Sequence, residues 1–145
     1  MSLITYPQHN GQVAVIIPTG DVYSAVKDVP KNTPYKIVSS LNIDNDYFNA
    51  YEYDETDGAK VNLEKAKAIH KDKWRAARKP KLEKLDIDFM RAVEAGDSQK
   101  QSEIAAQKQA LRDVTNTPLD GTTLEEIKAV WLAIVTGKQI GRAHV

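Results

Sequence analysis

Two stretches of helical periodicity joined by a very short connection constrain the fold of this chain more than any other feature. The first stretch repeats apolar residues at three- and four-residue steps, which places them on one helix face: Leu82, Leu85, Phe89 and Val93. Gly96 follows, where a left-handed glycine commonly ends a helix. So short a connection makes the next helix run antiparallel and share its apolar face. The sequence therefore predicts a helical hairpin over about residues 81–114.

The second helix of the hairpin has a recognisable start. Ser98 and Gln101 stand three residues apart, as in a capping box, so we expect Ser98 to begin a helix over about residues 99–114. Its apolar stripe is thinner and consists of Ile104, Ala105 and Leu111.

A final helix is predicted over about residues 122–136. Thr122 and Glu125 match a second capping box. The predicted helix has one clean apolar stripe: Leu124, Ile127, Trp131 and Ile134.

Pro80 interrupts the helix-forming residues that begin at Asn62. Proline lacks the amide donor and crowds the preceding turn, at a cost of about 3 kcal/mol or more in a helix interior. Either two helices meet at Pro80, or one long helix bends there. We expect a bend or break, with Pro80 in the first turn of the next segment.

The first 58 residues predict a small β-rich module. Residues 4–6 and 12–17 are β-forming runs separated by Asn10-Gly11, a strong hairpin signal. Residues 35–38 and 50–54 predict two more strands, and Asp21 is placed to cap a short helix over residues 21–27. We expect one antiparallel sheet of three or four strands, and residues 54–58 form a polar turn at the module boundary.

The predicted fold class is therefore α+β: a small N-terminal antiparallel β module followed by a C-terminal helical hairpin plus a short final helix. The expected domains are residues 1–58 (β-rich module) and 59–137 (helical region). Residues 138–145 are expected to be a non-native tail, because the last six residues, 140–145, resemble the translation of a common sequencing adapter.

Composition excludes several kinds of site and partner. The formal net charge is zero, so no global charge attracts nucleic acid or a membrane surface. The chain has no cysteine, which excludes disulfides, thiolate metal sites and cysteine nucleophiles. Its three histidines (His9, His70 and His144) are widely separated, so no histidine metal cluster is expected. No apolar run is long enough to span a membrane, and we expect a soluble protein made in a cytoplasm.

One segment is strongly basic despite the neutral total. Residues 61–84 hold nine basic and three acidic residues. The basic residues are Lys65, Lys67, Lys71, Lys73, Arg75, Arg78, Lys79, Lys81 and Lys84. They are spread around the helix, which favours a solvated face or an acidic protein partner over nucleic acid. Trp74 lies within this run; for Trp74 and Trp131 alike, packing is expected rather than base stacking.

Three patterns that could indicate chemistry are rejected. Asn42, Asp44 and Asp46 have calcium-loop spacing, but Tyr47 replaces the required glycine. Gly137-Lys138 lacks the upstream glycine and strand of a phosphate-binding loop. Asp86 and Asp88 point about 200° apart on a helix and cannot share a substrate, so they are expected to be surface or hairpin-stabilising charges. We therefore expect a non-enzyme without metal or cofactor.

Two portions of the chain, spanning most of residues 22–131, resemble small proteins encoded near the tail genes of tailed bacteriophages. The first portion comprises residues 27–30, 34–38 and 48–52. The second comprises residues 75–78, Leu82, residues 85–86, Phe89, Ala92, residues 95–97, 104–105, 108–113, Leu124 and residues 128–131. The most distinctive part, Lys-Gln-Ala-Leu-Arg-Asp at 108–113, is similar to the helical end of phage tail assembly chaperones.

The resemblance implies a non-enzymatic tail or tail-fibre assembly factor that works in the host cytoplasm. The implied partner is a phage tail or tail-fibre protein, with nucleic acid and membrane not expected and homo-oligomerisation left open. The alternative is a minor structural component that stays in the virion. The residues predicted to contact a partner are Arg75, Arg78, Gln109 and Arg112.

Overall fold

The computed structural model describes residues 2–131, in which strands precede long helices. This confirms the predicted α+β fold class. The chain divides into two compact units, with the division between Ala66 and Lys67. The predictions for Ile134, for Gly137-Lys138 and for the non-native tail lie outside the described residues.

The first unit contains five strands in two antiparallel sheets. They are β1 (Leu3–Pro7), β2 (Val13–Ile16), β3 (Lys36–Val38), β4 (Tyr51–Asp54) and β5 (Gly58–Val61). β1 lies between β2 and β3 in one sheet, and β4 pairs with β5 in the other. The prediction of a single sheet is wrong, because residues 54–58 turn the chain back into β5, which pairs with β4 in a second sheet. Gly58, at φ +89°, provides that reversal.

The two sheets approach each other closely at Gly58. A Cβ atom on this residue would lie 3.0 Å from Cγ1 of Val38 and 3.1 Å from Oγ1 of Thr5. β1 lies against both β4 and β5, and its Ile4 is fully buried. Burying apolar surface between the sheets is the main force that stabilises this unit.

The hairpin predicted at Asn10-Gly11 is confirmed. Gly11 has a φ of +86°, and the Gln8 amide donates to the Gln12 carbonyl at 2.8 Å. The short helix predicted next is also present as α1 (Val22–Ala25), and the Asp21 carboxylate accepts from the Tyr23 amide. Both features depend on local backbone chemistry, which explains why the sequence predicted them.

The helices are α2 (Leu63–Glu94), α3 (Ser98–Asp113) and α4 (Leu124–Lys128). α2 is continuous through Pro80, so of the two alternatives the single long helix is confirmed, and the expectation that Pro80 lies in the first turn of a new segment is wrong. The hairpin's first helix begins at Leu63 rather than near residue 81. The Pro80 side chain is exposed. The lost hydrogen bond costs about 3 kcal/mol, but packing on both sides of it keeps the helix intact.

α4 is capped one residue later than predicted. Thr123, rather than Thr122, is its N-cap and accepts from the Glu126 amide at 3.2 Å. The Glu126 carboxylate in turn accepts from the amide and hydroxyl of Thr122, and these hydrogen bonds lower its pKa below the ordinary value. α4 ends at Lys128, so Trp131 lies beyond it rather than on its stripe.

The core of the second unit is formed by buried side chains of α2, α3, α4 and the segment between α3 and α4. Its buried apolar side chains are Trp74, Ala92, Ile104, Leu111, Val114, Leu119, Leu124 and Ile127. α3 contributes Ile104 and Leu111 of the predicted stripe, whereas Ala105 is exposed.

Candidate partner-binding surface

The turn between α2 and α3 is a Schellman motif. Gly96 has a φ of +68°, its amide donates to the Val93 carbonyl at 3.0 Å, and the Asp97 amide donates to the Ala92 carbonyl at 3.0 Å. These two bonds satisfy carbonyls that a helix end otherwise leaves unpaired. The helical hairpin predicted from sequence is confirmed here.

The cap of α3 differs from the prediction by one residue. Asp97, rather than Ser98, is the N-cap, and its carboxylate accepts from the Lys100 amide at 3.0 Å. A carboxylate at this position also interacts favourably with the helix dipole. Gln101 donates to the Ala92 carbonyl at 3.4 Å instead of completing a capping box.

Lys108 joins the two helices of the hairpin. Its ammonium lies 2.6 Å from the Asp86 carboxylate and 5.4 Å from the centre of the Phe89 ring. The stem of Lys108 is largely buried, so this cation couples an ion pair with a cation–π contact. Asp86 and Asp88 were predicted to be surface or hairpin-stabilising charges: the Asp86 ion pair joins α2 to α3, whereas Asp88 pairs with Lys84 at 2.9 Å within α2.

Arg78 closes the other end of the hairpin. Its guanidinium donates to the carbonyls of Leu111 and Arg112, each at 2.9 Å, where α3 leaves its last acceptors unpaired. A cation at a helix C-terminus is also favoured by the helix dipole. Arg78 is therefore half-buried and engaged within the fold, which differs from the expectation of an exposed contact residue.

The other three predicted contact residues are exposed. Arg75 forms an ion pair with Asp72 one turn away, and Gln109 donates to the Asp113 carboxylate at 2.9 Å. Arg112 is exposed beside the carbonyls that Arg78 caps. The structure thus brings Arg78 and Arg112 together at one end of the hairpin, and their role in partner binding stays a prediction.

The outer face of α2 carries an apolar stripe that the sequence interpretation missed. Ile87, Met90 and Val93 are 54%, 60% and 48% exposed, although each is a large apolar residue. Val93 was expected to face α3, but Ala92 is the residue buried there. The three-residue spacing of Ile87, Met90 and Val93 was the sequence signal for this second face.

A buried aromatic cluster lies at the start of the second unit. Nε2 of His70 lies 2.7 Å from the Val130 carbonyl, and Nε1 of Trp74 donates to the same oxygen at 3.1 Å. The His70 ring packs edge-on against the rings of Trp74 and Trp131, with centroids 5.6 and 4.9 Å away. The prediction that Trp74 packs in the core is confirmed, since it is fully buried.

His70 is held in its neutral form by this environment. Burial lowers its pKa below the ordinary value of 6.5, against the smaller opposing effect of the Val130 carbonyl. A carbonyl can only accept, so Nε2 must carry the proton in this contact. His70 was considered only as a potential metal ligand in the sequence, and nothing local indicated a partner 60 residues away.

The basic segment is partly neutralised within the fold. Lys65 pairs with Glu52 at 2.8 Å in the first unit, a contact that lowers the pKa of that carboxyl. Arg75 and Lys84 pair with aspartates on their own helix. Lys79 is exposed and Lys81 is half-buried. These contacts reduce the charge available to a phosphate backbone.

Residues 2–131 contain neither a metal-site cluster nor a membrane-spanning helix. No group of three or more histidine, aspartate or glutamate side chains there has the arrangement of a metal site. No helix in that range combines the length and apolarity that crossing a bilayer requires.

Comparisons of the chain with protein-family models, curated proteins and solved structures find no match.

Proposed function

We propose that this chain is a non-enzymatic phage tail or tail-fibre assembly factor, a protein-binding module that acts in the host cytoplasm. The proposal starts from the resemblance of two portions, spanning most of residues 22–131, to small tail-associated phage proteins. The observation that carries it is the exposed apolar stripe on α2, formed by Ile87, Met90 and Val93. Contiguous exposed apolar residues, unlike apolar residues scattered singly over a surface, are typical of protein-interaction sites.

The hairpin suits this role because the contacts that join its two helices leave Ile87, Met90 and Val93 exposed. Arg78 and Lys108 join α2 to α3, and Ile104 and Leu111 are buried. A rigid helix face loses little conformational entropy when a partner docks, so more of the contact energy is expressed as affinity.

Co-expression with the tail-fibre protein encoded in the same genome tests the proposal. An assembly factor is expected to raise the soluble fraction of the fibre protein severalfold and to co-purify with it before virion assembly. Fibre or tail protein that is equally soluble with and without this chain would contradict the proposal.

Mass spectrometry of purified particles separates the proposal from its alternative. An assembly factor leaves when the tail is complete, so its peptides are expected to be absent. Retention at stoichiometric copy number would instead identify a minor structural component of the virion tail.

A further inference from the structure

We propose that the outer face of α2 binds a basic amphipathic helix of the partner protein, with Ile87, Met90 and Val93 as the apolar seat and Glu83 and Glu94 as its acidic ends. This inference rests on the proposed function and deepens it by naming the surface and the chemistry of the partner. The outer face consists of the apolar residues Ile87, Met90 and Val93 and the two carboxylates Glu83 and Glu94.

The five residues lie on one side of the helix. Ile87 and Val93 stand three positions before and after Met90, about 60° to either side of it. Glu83 and Glu94, seven positions before and four after, fall within about 40° of Met90. Ala92, which is buried, points about 200° away. The outer face therefore lies on the side of α2 opposite buried Ala92, and Asp86, about 40° from Met90, borders it where it reaches Lys108 of α3.

The apolar seat matches the way helices dock in grooves. An amphipathic helix presents anchors at three- and four-residue spacing, which complement a stripe with the same spacing. Met90 is the most exposed of the three, at 60%, and a flexible thioether adapts its shape to a partner's side chains.

The charge at the two ends selects a basic partner. Glu83 and Glu94 are exposed, and neither forms an ion pair within residues 2–131. Nearby Asp86 and Asp88 are both paired with lysines. Between Glu83 and Glu94 the exposed charges without an ion pair are these two carboxylates and Arg91, a net negative charge. The carboxylates therefore favour lysine or arginine at the two ends of a docked apolar stripe.

The same charges disfavour a second copy of this chain on the outer face. Parallel, in-register pairing would place Glu83 and Glu94 beside the same residues of the second copy, which costs free energy in a desolvated interface. Antiparallel pairing centred on Met90 would place Glu94 opposite Asp86 and Glu83 opposite Asp97, so neither glutamate would meet a residue of opposite charge.

A peptide-binding experiment with the full chain tests the inference. The probe is a fluorescein-labelled 18-residue amphipathic peptide with leucine at three- and four-residue steps and lysine on both flanks. Its comparison peptide carries glutamate in place of every lysine. Fluorescence anisotropy at low salt is expected to give the lysine peptide at least about tenfold higher affinity.

Two variants test the apolar residues and the carboxylates of the outer face separately. I87S/M90S/V93S is expected to weaken binding of the lysine peptide about tenfold or more, because it removes the apolar anchors. I17S is the matched control, since Ile17 is 67% exposed in the first unit and should leave affinity unchanged. E83K/E94K is expected to invert the preference between the two peptides, whereas E55K should not.

Equal affinity for the two peptides, or a preference that E83K/E94K leaves unchanged, would overturn the inference. Sedimentation that shows a dimer, which I87S/M90S/V93S converts to a monomer, would assign the face to a second copy instead.

The co-expression assay distinguishes this inference from the proposed function. If the wild-type chain solubilises the fibre protein and I87S/M90S/V93S does so equally well, the outer face is not the docking surface but the assembly role stands. If the wild type solubilises no tail protein while the lysine peptide still binds selectively, the assembly role fails alone.

Discussion

Replacing Gly96 by alanine isolates the energetic contribution of the hairpin turn. Gly96 has a φ of +68°, and a Cβ added there would meet no atom within 4 Å. The change therefore causes no clash, and its cost is that of holding an L-residue in the left-handed region, about 1–2 kcal/mol. Alanine also restricts the unfolded chain, which offsets about 0.4–1 kcal/mol. We expect a net destabilisation of about 1 kcal/mol.

Gly20 provides a matched control for this substitution. A Cβ at Gly20 likewise meets nothing within 4 Å, but its φ is not in the left-handed region. G20A is therefore expected to be neutral or slightly stabilising. G96N should cost less than G96A, because asparagine tolerates the left-handed conformation better than alanine does.

Urea unfolding followed by far-UV circular dichroism measures these differences. With a slope of about 2 kcal/mol per molar, a loss of about 1 kcal/mol lowers the midpoint by about 0.5 M. Amide hydrogen exchange should also accelerate in the first turn of α3 in G96A, where Asp97 caps the helix. A G96A midpoint equal to that of wild type, or an equal loss in G20A, would refute the reasoning.

Three further perturbations test other contacts. R78A is expected to lose about 1–2 kcal/mol of stability in urea unfolding, because it leaves two helix-end carbonyls without their charged donor. R75A removes only an exposed ion pair and should change stability little, so equal losses in the two variants would contradict this assignment. Burial lowers the pKa of His70 below 6.5, so the unfolded chain binds a proton more readily than the folded chain does, and the stabilisation should be full above that pH and decline below it. H70Q keeps a donor to Val130 and should lose less stability than the wild type between about pH 7.5 and about pH 5.5. G58A should destabilise the first unit by about 2 kcal/mol or more, since it combines a positive φ with contacts of 3.0 and 3.1 Å, and thermal unfolding equal to wild type would exclude that strain.

The features that the sequence predicted correctly depend on residues close together in the chain. Gly96 ends α2 because only its own backbone conformation is needed, and Asp21 caps α1 through an amide two residues away. The periodicity of Leu82, Leu85 and Phe89 similarly indicated the face that is half-buried in the hairpin. The caps of α3 and α4 were displaced by one residue, since neighbouring polar residues compete for the same amides.

Where the predictions failed, contacts between distant residues decided the outcome. Pro80 left two helices or one long helix open, and α2 is continuous because packing before and after Pro80 outweighs one lost hydrogen bond. Val93 lies on the predicted stripe, but α3 approaches Ala92 instead. Two sheets form rather than one because β4 pairs with β5, a strand that no local pattern in the turn before it indicated.

The candidate surface likewise combines features set by local sequence with features set by tertiary contacts. The amino-acid sequence determined that a helical hairpin forms and turns at Gly96, because positive φ and helical periodicity are properties of short segments. Only the tertiary structure decided that Arg78 is engaged by α3 while Ile87 and Met90 remain exposed. The physical reason is that burial depends on which surfaces meet, and a helix with apolar residues on two faces does not itself specify which one its neighbour covers.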